Sequence, residues 1–262
     1  MNISLIGKIA FVCGSTQGIG KATAIELASL GATVVLIARN EEKLKETMAL
    51  LDQKEGQKHQ YIQADFTQPE VLKSKLQYFL KDQTTAHILV NNTGGPPAGL
   101  AIDASSEHFK AAFEQHVICN QVLVQALVPL MKKSGYGRII NVLSTSVKTP
   151  IPGLGVSNTI RAAVANWAKT LSVELGPFNI TVNNILPGST QTARIEALIE
   201  NKSKQTGKSK DQIRKEMEEE IPLKRFAQPE ETAAAIAFLA SPAAGYISGI
   251  NLPVDGGKTP GL

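Results

Sequence analysis

Short runs of β-branched and aliphatic residues alternate along the chain with longer segments in which apolar residues recur at helical spacing. The first pattern is typical of buried strands and the second of amphipathic helices. Because each strand-like run is followed by a helical pattern or a loop, we expect consecutive strands to lie parallel, with helices covering both faces of one sheet. The strand-like runs are KIAFVC, TVVLI, QYIQA, HILV, RIINV and ITVNNI.

The length suits one large domain, since 262 residues with 43% apolar content can bury a substantial core. We therefore predict an α/β fold, a single Rossmann-type doubly wound parallel sheet of about seven strands that spans residues 1–262. A helical excursion is expected near 192–226. Thr67 and Glu70 are predicted to form a capping box at the start of one helix. The predicted helices are 18–30, 41–53, 69–81, 107–133, 157–175 and 229–240.

Charge and cysteine content disfavour several classes of function. The chain has 27 basic and 23 acidic residues and no arginine-rich arm, so no nucleic-acid partner is expected. Cys13 and Cys119 lack the spacing of a metal site, and so few cysteines are typical of a reduced, cytoplasmic protein. No secretion signal or membrane-spanning segment is expected.

The charged segment 200–220 is interpreted as a solvated helix held by Ile213 and Met217, with a site for an acidic partner as the alternative.

A glycine-rich turn follows the first strand-like run and opens a helix, with Gly14, Gly18 and Gly20 spaced GxxxGxG. Gly14 would let the chain turn sharply, Gly18 would let the backbone approach a pyrophosphate, and Gly20 would let the helix pack on the sheet. The amides at the helix start would then face the anion. A purely structural turn is the alternative, and the strand-turn-helix context favours dinucleotide binding. The residues predicted to bind the cofactor here are Gly14, Ser15, Gln17, Gly18, Ile19 and Gly20.

The type of dinucleotide is expected to depend on the end of the second strand. An acid there would contact the ribose 2′-hydroxyl of NAD, and a base would contact the 2′-phosphate of NADP. The stretch VVLIARNEEKL places Ala38 and Arg39 at this position and no acid. An ordinary solvated residue is the alternative for Arg39. NADP(H) is therefore expected in preference to NAD(H), which stays the second choice.

Further motifs follow in order, namely QADFT, NNTGG, GRIINVLS, LPGSTQT and YISGINLPVDGG. Together with the glycine turn, they give nearly the whole chain a resemblance to the short-chain dehydrogenase/reductase superfamily. The carboxy-terminal part looks especially like the β-ketoacyl-acyl-carrier-protein reductases. The resemblance implies a homotetramer built partly by the helices at 107–133 and 157–175.

The resemblance also implies further contacts with the cofactor. Asp65 would contact the adenine, and Asn91 would help to hold the adenosine side. The structural alternatives are a turn residue for Asp65 and a strand-end clamp for Asn91. Gly94 would let the backbone pass close to the cofactor. The PGxxxT segment that would cradle the carboxamide and the pyrophosphate comprises Pro187, Gly188 and Thr192.

Members of the superfamily use Asn, Ser, Tyr and Lys as a catalytic tetrad. Tyr donates the proton, Lys lowers the Tyr pKa and holds the ribose, Ser polarises the carbonyl, and Asn fixes a water. Matching the motifs places Ser144 at the serine position, Ser157 at the tyrosine position and Arg161 at the lysine position. His116 aligns best with the asparagine position, and Asn120 lies one turn away. The tetrad is therefore altered at every position except the serine.

The expected proton donor is missing, because a serine hydroxyl is a far weaker acid than a phenol and Arg stays protonated. None of the four tyrosines is expected at the sheet edge where ligands bind. His116 could pass on a proton, although a nearby Arg161 would lower its pKa. The alternatives are a satisfied helix histidine for His116, a helix N-cap for Ser157 and a solvated residue for Lys148. Arg161 could still hold ribose hydroxyls or a pyrophosphate.

The leading hypothesis is an NADP(H)-dependent oxidoreductase, similar to 3-oxoacyl-acyl-carrier-protein reductases, that transfers hydride between nicotinamide and a carbonyl or hydroxyl substrate. Ser144 and Ser157 would polarise the oxygen, and His116 or water would supply the proton. A catalytically impaired nucleotide-binding or assembly protein on the same fold is the alternative, and reduction of an activated double bond is a third hypothesis. The segments expected to line the pocket are largely apolar, which favours a medium-sized carbonyl compound or acyl thioester.

Overall fold

One parallel sheet organises the structure, a computed structural model that describes residues 1–261. Its strands are β1 (Ile9–Cys13), β2 (Thr33–Ala38), β3 (Gln60–Gln63), β4 (Ile88–Asn91), β5 (Gly137–Val142), β6 (Ile180–Pro187) and β7 (Asn251–Val254). They are ordered β3-β2-β1-β4-β5-β6-β7, with every pairing parallel. The order reverses between β1 and β4, at the switch point where open α/β sheets bind ligands. The predicted fold is confirmed.

Helices cover both faces of this sheet. The side chains of Phe11 and Val12, neighbours in β1, belong to different core clusters, as the alternation of side chains along a strand requires. None of the described helices is long and apolar enough to cross a membrane. The helices are α1 (Gly18–Ser29), α2 (Glu41–Met48), α3 (Pro69–Phe79), α4 (Ser106–Phe113), α5 (Cys119–Ser134), α6 (Gly155–Leu175), α7 (Ala193–Thr206), α8 (Lys210–Glu219) and α9 (Pro229–Ala240).

Two predicted helices differ from the observed ones in extent. The helix predicted at 41–53 ends at Met48, because the Asp52 side chain accepts a hydrogen bond from the Lys54 amide and forms a local turn that competes with the helix. The helix predicted at 107–133 is interrupted by a π-helical turn, Glu114–Ile118, which joins α4 to α5. Neither feature has a strong signal in the hydrophobic periodicity.

The predicted capping box of Thr67 and Glu70 is wrong. The amide and the hydroxyl of Thr67 both donate to Asp65 Oδ1, at 2.9 and 3.0 Å, so Thr67 belongs to a turn before the helix. The helix begins at Pro69, whose missing N–H costs nothing at the first helical position. The Asp65 carboxylate accepts from both the amide and the hydroxyl of Thr67, and this local turn holds the Thr67 oxygen away from the helix amides that it would have to accept from in a capping box.

Ser157 is not a helix N-cap, because α6 begins two residues earlier, at Gly155. A Cβ on Gly155 would lie 2.5 Å from the Ala101 backbone, so the start of α6 packs directly on the segment that follows β4. The Gly99 amide donates to Gly153, and the Gly155 amide donates to Gly99. This non-local contact sets where the helix begins and places Ser157 inside it, only 6% exposed.

The charged excursion folds as two helices, α7 and α8, over a small apolar cluster. Ile213 and Met217 are buried in that cluster, at 3% and 8% exposure, as their spacing predicts. Ser209 and Gln212 form a capping box at the start of α8. The excursion follows β6, so its first residues lie near the edge of the sheet at which the strands end.

Candidate active site

The glycine turn between β1 and α1 packs against the end of β4. Gly14 has a φ of +58°, and a Cβ there would lie 2.5 Å from the Asn92 carbonyl oxygen. A Cβ on Gly20 would lie 2.2 Å from the Gly14 carbonyl oxygen. The Asn92 side chain donates to the Cys13 and Gly14 carbonyls at 3.3 and 3.4 Å. The positions of Gly14 and Gly20 have no room for side chains, and the first amides of α1 have no helical acceptors, which is the arrangement that an anion site requires.

The other residues of the turn occupy different environments. Ser15 is fully buried, and its hydroxyl is 3.5 Å from the Ile37 carbonyl oxygen. Gln17 is exposed at the N-cap of α1, and Ile19 packs against the core. Ser15 and Ile19 can therefore contact a ligand through their backbone but not through their side chains. Gln17 can contact it through both.

The segment after β6 meets the glycine turn from the opposite side. A Cβ on Gly18 would lie 3.0 Å from Thr192 Cγ2, so these two predicted cofactor residues are in contact range. Pro187 ends β6, and Gly188 packs so closely on Asp255 that a Cβ there would lie 2.7 Å from the Asp255 Cβ. The predicted PGxxxT segment and the glycine turn thus form two walls of one groove.

Asn91 belongs to a chain of asparagine side chains across the sheet. Its Nδ2 donates to Asn141 at 2.8 Å, Asn141 donates to Asn184 at 2.9 Å, and Asn184 donates to Asn251 at 2.8 Å. Asn91 therefore ties β4 to β5, as its alternative as a strand clamp predicts, and its role on the adenosine side of a cofactor stays a prediction. Asn92, which sequence reasoning missed, holds the glycine turn instead. The signal was the Asn doublet itself, because neighbouring residues at a strand end point to opposite sides.

Arg39 and Asp65 follow the ends of β2 and β3. Arg39 is exposed, and it forms no ion pair with any residue of the described chain. The Gln63 side chain donates to its carbonyl at 3.2 Å, which ties the ends of the two strands together. Asp65 accepts both hydrogen bonds from Thr67, as its alternative as a turn residue predicts, and its contact with the adenine stays a prediction. An unpaired, exposed guanidinium remains available for a phosphate.

Ser144, Ser157 and Arg161 come together at the carboxy end of β5. Ser144 follows that strand, and its Oγ accepts from the Ser146 amide at 3.1 Å, which leaves the hydroxyl proton free to donate. Ser157 and Arg161 lie one turn apart on the same face of α6. Arg161 Nη1 donates to the Val142 carbonyl at 3.0 Å, which ties α6 to the end of the strand.

His116 lies in the π-helical turn between α4 and α5, and such turns are frequent at functional sites. Its Nδ1 is 2.8 Å from Thr93 Oγ1, and its Nε2 is buried without a partner among residues 1–261. Burial, and then the charge of Arg161, lower the pKa of His116 to about 3. A Cβ on Gly94, which follows Thr93, would meet no protein atom within 4 Å. A neutral imidazole therefore adjoins both Arg161 and an open stretch of backbone.

A second arginine, which sequence reasoning missed, adjoins Arg161. Arg194 extends from the first turn of α7, and its Nη2 donates to the Pro96 carbonyl at 3.0 Å. A Cβ on Gly95 would lie 3.3 Å from Arg161 Nη2 and 3.5 Å from Arg194 Nη2, so the two guanidinium groups are neighbours. Burial, and then the charge of Arg194, lower the pKa of Arg161 to about 10, which leaves Arg161 charged near neutral pH.

No tyrosine supplies a phenol at this site. The Tyr61 and Tyr136 hydroxyls donate to α2 and α9, and Tyr136 precedes β5 at the opposite edge of the sheet. Tyr78 and Tyr246 are 75% and 105% exposed. Lys148 is also exposed, in agreement with its solvated alternative. The cluster therefore has serine hydroxyls, an imidazole and guanidinium groups as its polar chemistry.

The cysteines are buried and unpaired. Burial is the main cause that raises the pKa of Cys119 to about 12 and that of Cys13 further still, so neither is a thiolate nucleophile near neutral pH. Within the described chain, no three His, Cys, Asp or Glu side chains are grouped to hold a metal ion.

Comparison with known proteins shows the family to which the chain belongs. A family model described as enoyl-(acyl carrier protein) reductase matches residues 14–259. The chain belongs to the short-chain dehydrogenase/reductase superfamily. The resemblance on which the sequence motifs agree is thereby confirmed, and the glycine turn and the PGxxxT segment occupy the two walls of the groove in this short-chain dehydrogenase/reductase.

Its relatives extend over nearly its full length. It is 32% identical to the NADPH-dependent reductase BacG of Bacillus subtilis, over 96% of the chain and 97% of that relative. It is 31% identical to the 3-oxoacyl-[acyl-carrier-protein] reductase FabG of Aquifex aeolicus, over 98% of the chain and 99% of that relative. The L-sorbose reductase of Gluconobacter frateurii, solved with NADPH and L-sorbose, has 33% identity and a TM-score of 0.93, with all of both chains covered.

Proposed function

We propose that this protein is an NADP(H)-dependent oxidoreductase that transfers hydride between nicotinamide and a small-molecule carbonyl or hydroxyl substrate. One observation supports this most directly: the glycine groove and the cluster of Ser144, Ser157 and Arg161 lie at the same edge of the sheet. Relatives named as NADPH-dependent and 3-oxoacyl reductases support the cofactor and the reaction class. The substrate class is a ketone, an aldehyde or an acyl thioester.

The groove fits a dinucleotide. A side chain at Gly14 or Gly20 would clash with backbone, whereas one at Gly94 would enter open space. The amides that follow Gly14 would hold the pyrophosphate together with Thr192, and Arg39 would hold the 2′-phosphate. Asp65 and Asn91 would lie on the adenosine side, and the nicotinamide would rest on the PGxxxT segment. When bound, the cofactor supplies the hydride.

The substrate oxygen would be polarised by hydroxyl groups and a fixed cation. The Ser144 hydroxyl would donate a hydrogen bond to the substrate oxygen, and Ser157 and Arg161 present further hydrogen-bond donors from one face of α6. Donors that are already in place stabilise negative charge on a reacting oxygen without reorganising. Arg161 also offers N–H groups to ribose hydroxyls, the role that a lysine has in relatives with the full tetrad.

The proton comes from water in this proposal. With its pKa lowered to about 3, His116 is neutral at pH 7 and is not the proton donor. Neutral His116 instead hydrogen-bonds a water through Nε2, which has no protein partner in the described chain, while Thr93 holds Nδ1. His116 is then a positioning residue, as the asparagine of the usual tetrad is.

The cofactor assignment is tested by equilibrium binding of NADPH and NADH, measured by the change in NAD(P)H fluorescence. Arg39→Ala is expected to weaken NADPH binding about tenfold, or ~1.4 kcal/mol, and to leave NADH binding unchanged, because only NADPH has the 2′-phosphate. Lys58→Ala removes another exposed charge before β3 and should change neither affinity. Equal losses for both nucleotides in Arg39→Ala would place Arg39 outside the phosphate site.

The altered tetrad is tested by restoring the usual residues. Ser157→Tyr combined with Arg161→Lys is expected to reduce NADPH oxidation on active carbonyl substrates at least about tenfold, because the pair is adapted to small hydroxyl and guanidinium donors. Thr159→Ala, on the exposed face of the same helix, should leave turnover unchanged. A large gain in the double variant would instead identify a catalytically impaired nucleotide-binding protein whose proton donor had been lost.

A further inference from the structure

The two neighbouring guanidinium groups of Arg161 and Arg194 have no role in the mechanism above that requires both. They extend from different helices, α6 and α7, and converge beside Gly95. Each makes one hydrogen bond within residues 1–261, to the carbonyls of Val142 and Pro96. A guanidinium has five N–H groups, so most of their donors have no protein acceptor.

No carboxylate of the described chain neutralises either group. Two arginines that follow Arg194 in the chain are paired with carboxylates, since Arg214 contacts Glu196 and Arg225 contacts Glu231. The two guanidinium groups converge beside Gly95, and the charge of Arg194 adds to burial in lowering the pKa of Arg161. Adjacent like charges destabilise the folded protein unless an anion completes the cluster.

Further polar groups adjoin the arginine pair. His116 Nε2 lies in a side chain only 4% exposed and has no partner in the described chain, and Arg161 is close enough to lower the pKa of that ring. Ser157 precedes Arg161 by one turn. Planar guanidinium forks match the paired oxygens of a carboxylate or a phosphate.

We propose that the substrate has an anionic oxygen group, a carboxylate or a phosphate, which Arg161 and Arg194 hold together beside the reacting carbonyl. This inference rests on the proposed reductase function. The dinucleotide phosphates have their own site at the amides of the glycine turn and at Thr192, so Arg194 and the Arg161 donors that the ribose and the reacting oxygen do not use are left for an anionic group of the substrate. An anionic anchor on two helices would fix the substrate's orientation relative to Ser144 and Ser157.

Calorimetric titration of the protein, with and without NADPH, tests this with 4-oxopentanoate, its methyl ester and inorganic phosphate as probes. We expect 4-oxopentanoate or phosphate to bind at least about tenfold more tightly than the ester. Arg194→Gln should abolish this preference, and Arg194→Lys, which keeps the charge and loses the fork, should retain part of it. Lys204→Gln removes an exposed charge from the same helix α7 and should retain all of it.

Three outcomes would overturn the inference: equal binding of acid, phosphate and ester, no binding of any of them, or an Arg194→Gln variant that binds NADPH more weakly while anion binding is unchanged. The last result would assign the pair to the cofactor. Thermal unfolding of each variant separates these effects from loss of fold. Failure of the proposed reductase function would give a different result from failure of this inference. NADPH would then not bind, although the cofactor-free protein would still prefer the anion to the ester.

Discussion

The Gly20→Ala variant is expected to bind NADPH at least about 100-fold more weakly than the unaltered protein and to unfold more easily. The added methyl group would lie 2.2 Å from the Gly14 carbonyl oxygen and 2.6 Å from Asn92 Nδ2. Both atoms belong to the hydrogen-bonded turn, so neither can move without the other. The start of α1 must therefore shift away from the turn, and its amides leave the anion site.

The expected loss of unfolding free energy is about 1–3 kcal/mol, the usual cost of overpacking a tight contact. Urea unfolding measures it, and fluorescence titration measures the NADPH affinity. Gly176→Ala is the matched control, because a Cβ there would meet no atom within 4 Å and φ is −50°. Unchanged NADPH affinity in a folded Gly20→Ala protein would show that the glycine turn is purely structural.

The sequence predicts those parts of the site that depend on local spacing. A glycine turn between a strand and a helix leaves few arrangements, and the contacts at Gly14 and Gly20 are those that the spacing requires. Ser157 and Arg161 lie on one face of a helix because they are four residues apart. Ser144 follows β5, and the hydrogen bond from Arg161 to the Val142 carbonyl ties α6 to the end of that strand.

Other parts depend on contacts between segments far apart in the chain. The start of α6 is set by the packing of Gly155 on Ala101, and no pattern near Ser157 indicates it. Arg194 reaches Arg161 only because α7 folds back toward the segment after β4, and its hydrogen bond to Pro96 joins residues 98 positions apart. Long-range placement of a charged side chain cannot be inferred from periodicity.

His116 shows the limit most clearly. Its alignment with a tetrad position identified the residue, but the π-helical turn that directs it toward Thr93 has no sequence signature. The expected influence of Arg161 on its pKa is present in the structure, although burial is the larger cause. Charge proximity could be guessed from motifs, whereas burial depends on the packed helices around the ring.

Stability is expected to fall as the pH is lowered from about 6.5 to about 4.5, chiefly through two buried histidines. Burial lowers the pKa of His116 to about 3 and that of His87 to about 4, with Arg161 and Lys8 adding to the effect. The Ile9 amide also donates to His87 Nδ1, so protonation there would break a hydrogen bond. Both rings are therefore mainly neutral in the folded protein over this range.

In the unfolded chain both histidines take up protons near their ordinary pKa of about 6.5. The unfolded state then binds more protons than the folded state, so the free energy of unfolding decreases with falling pH, by at most about 2.7 kcal/mol per pH unit for two groups. The carboxylates with lowered pKa values, such as Glu231 at about 2, act in the same direction only below their unfolded pKa of 4.5. The histidines therefore dominate the range above it.

Urea unfolding at a series of pH values between 7 and 4.5 measures this dependence. His116→Gln is expected to halve, roughly, the slope of the free energy of unfolding against pH, whatever it does to stability at pH 7. The reason is that unfolding then takes up one proton instead of two. His108→Gln is the control, since that side chain is exposed and meets water in both states. If His116→Gln leaves the slope unchanged, the ring takes up its proton at the same pH in the folded and the unfolded protein, and it could then transfer a proton to a substrate near neutral pH.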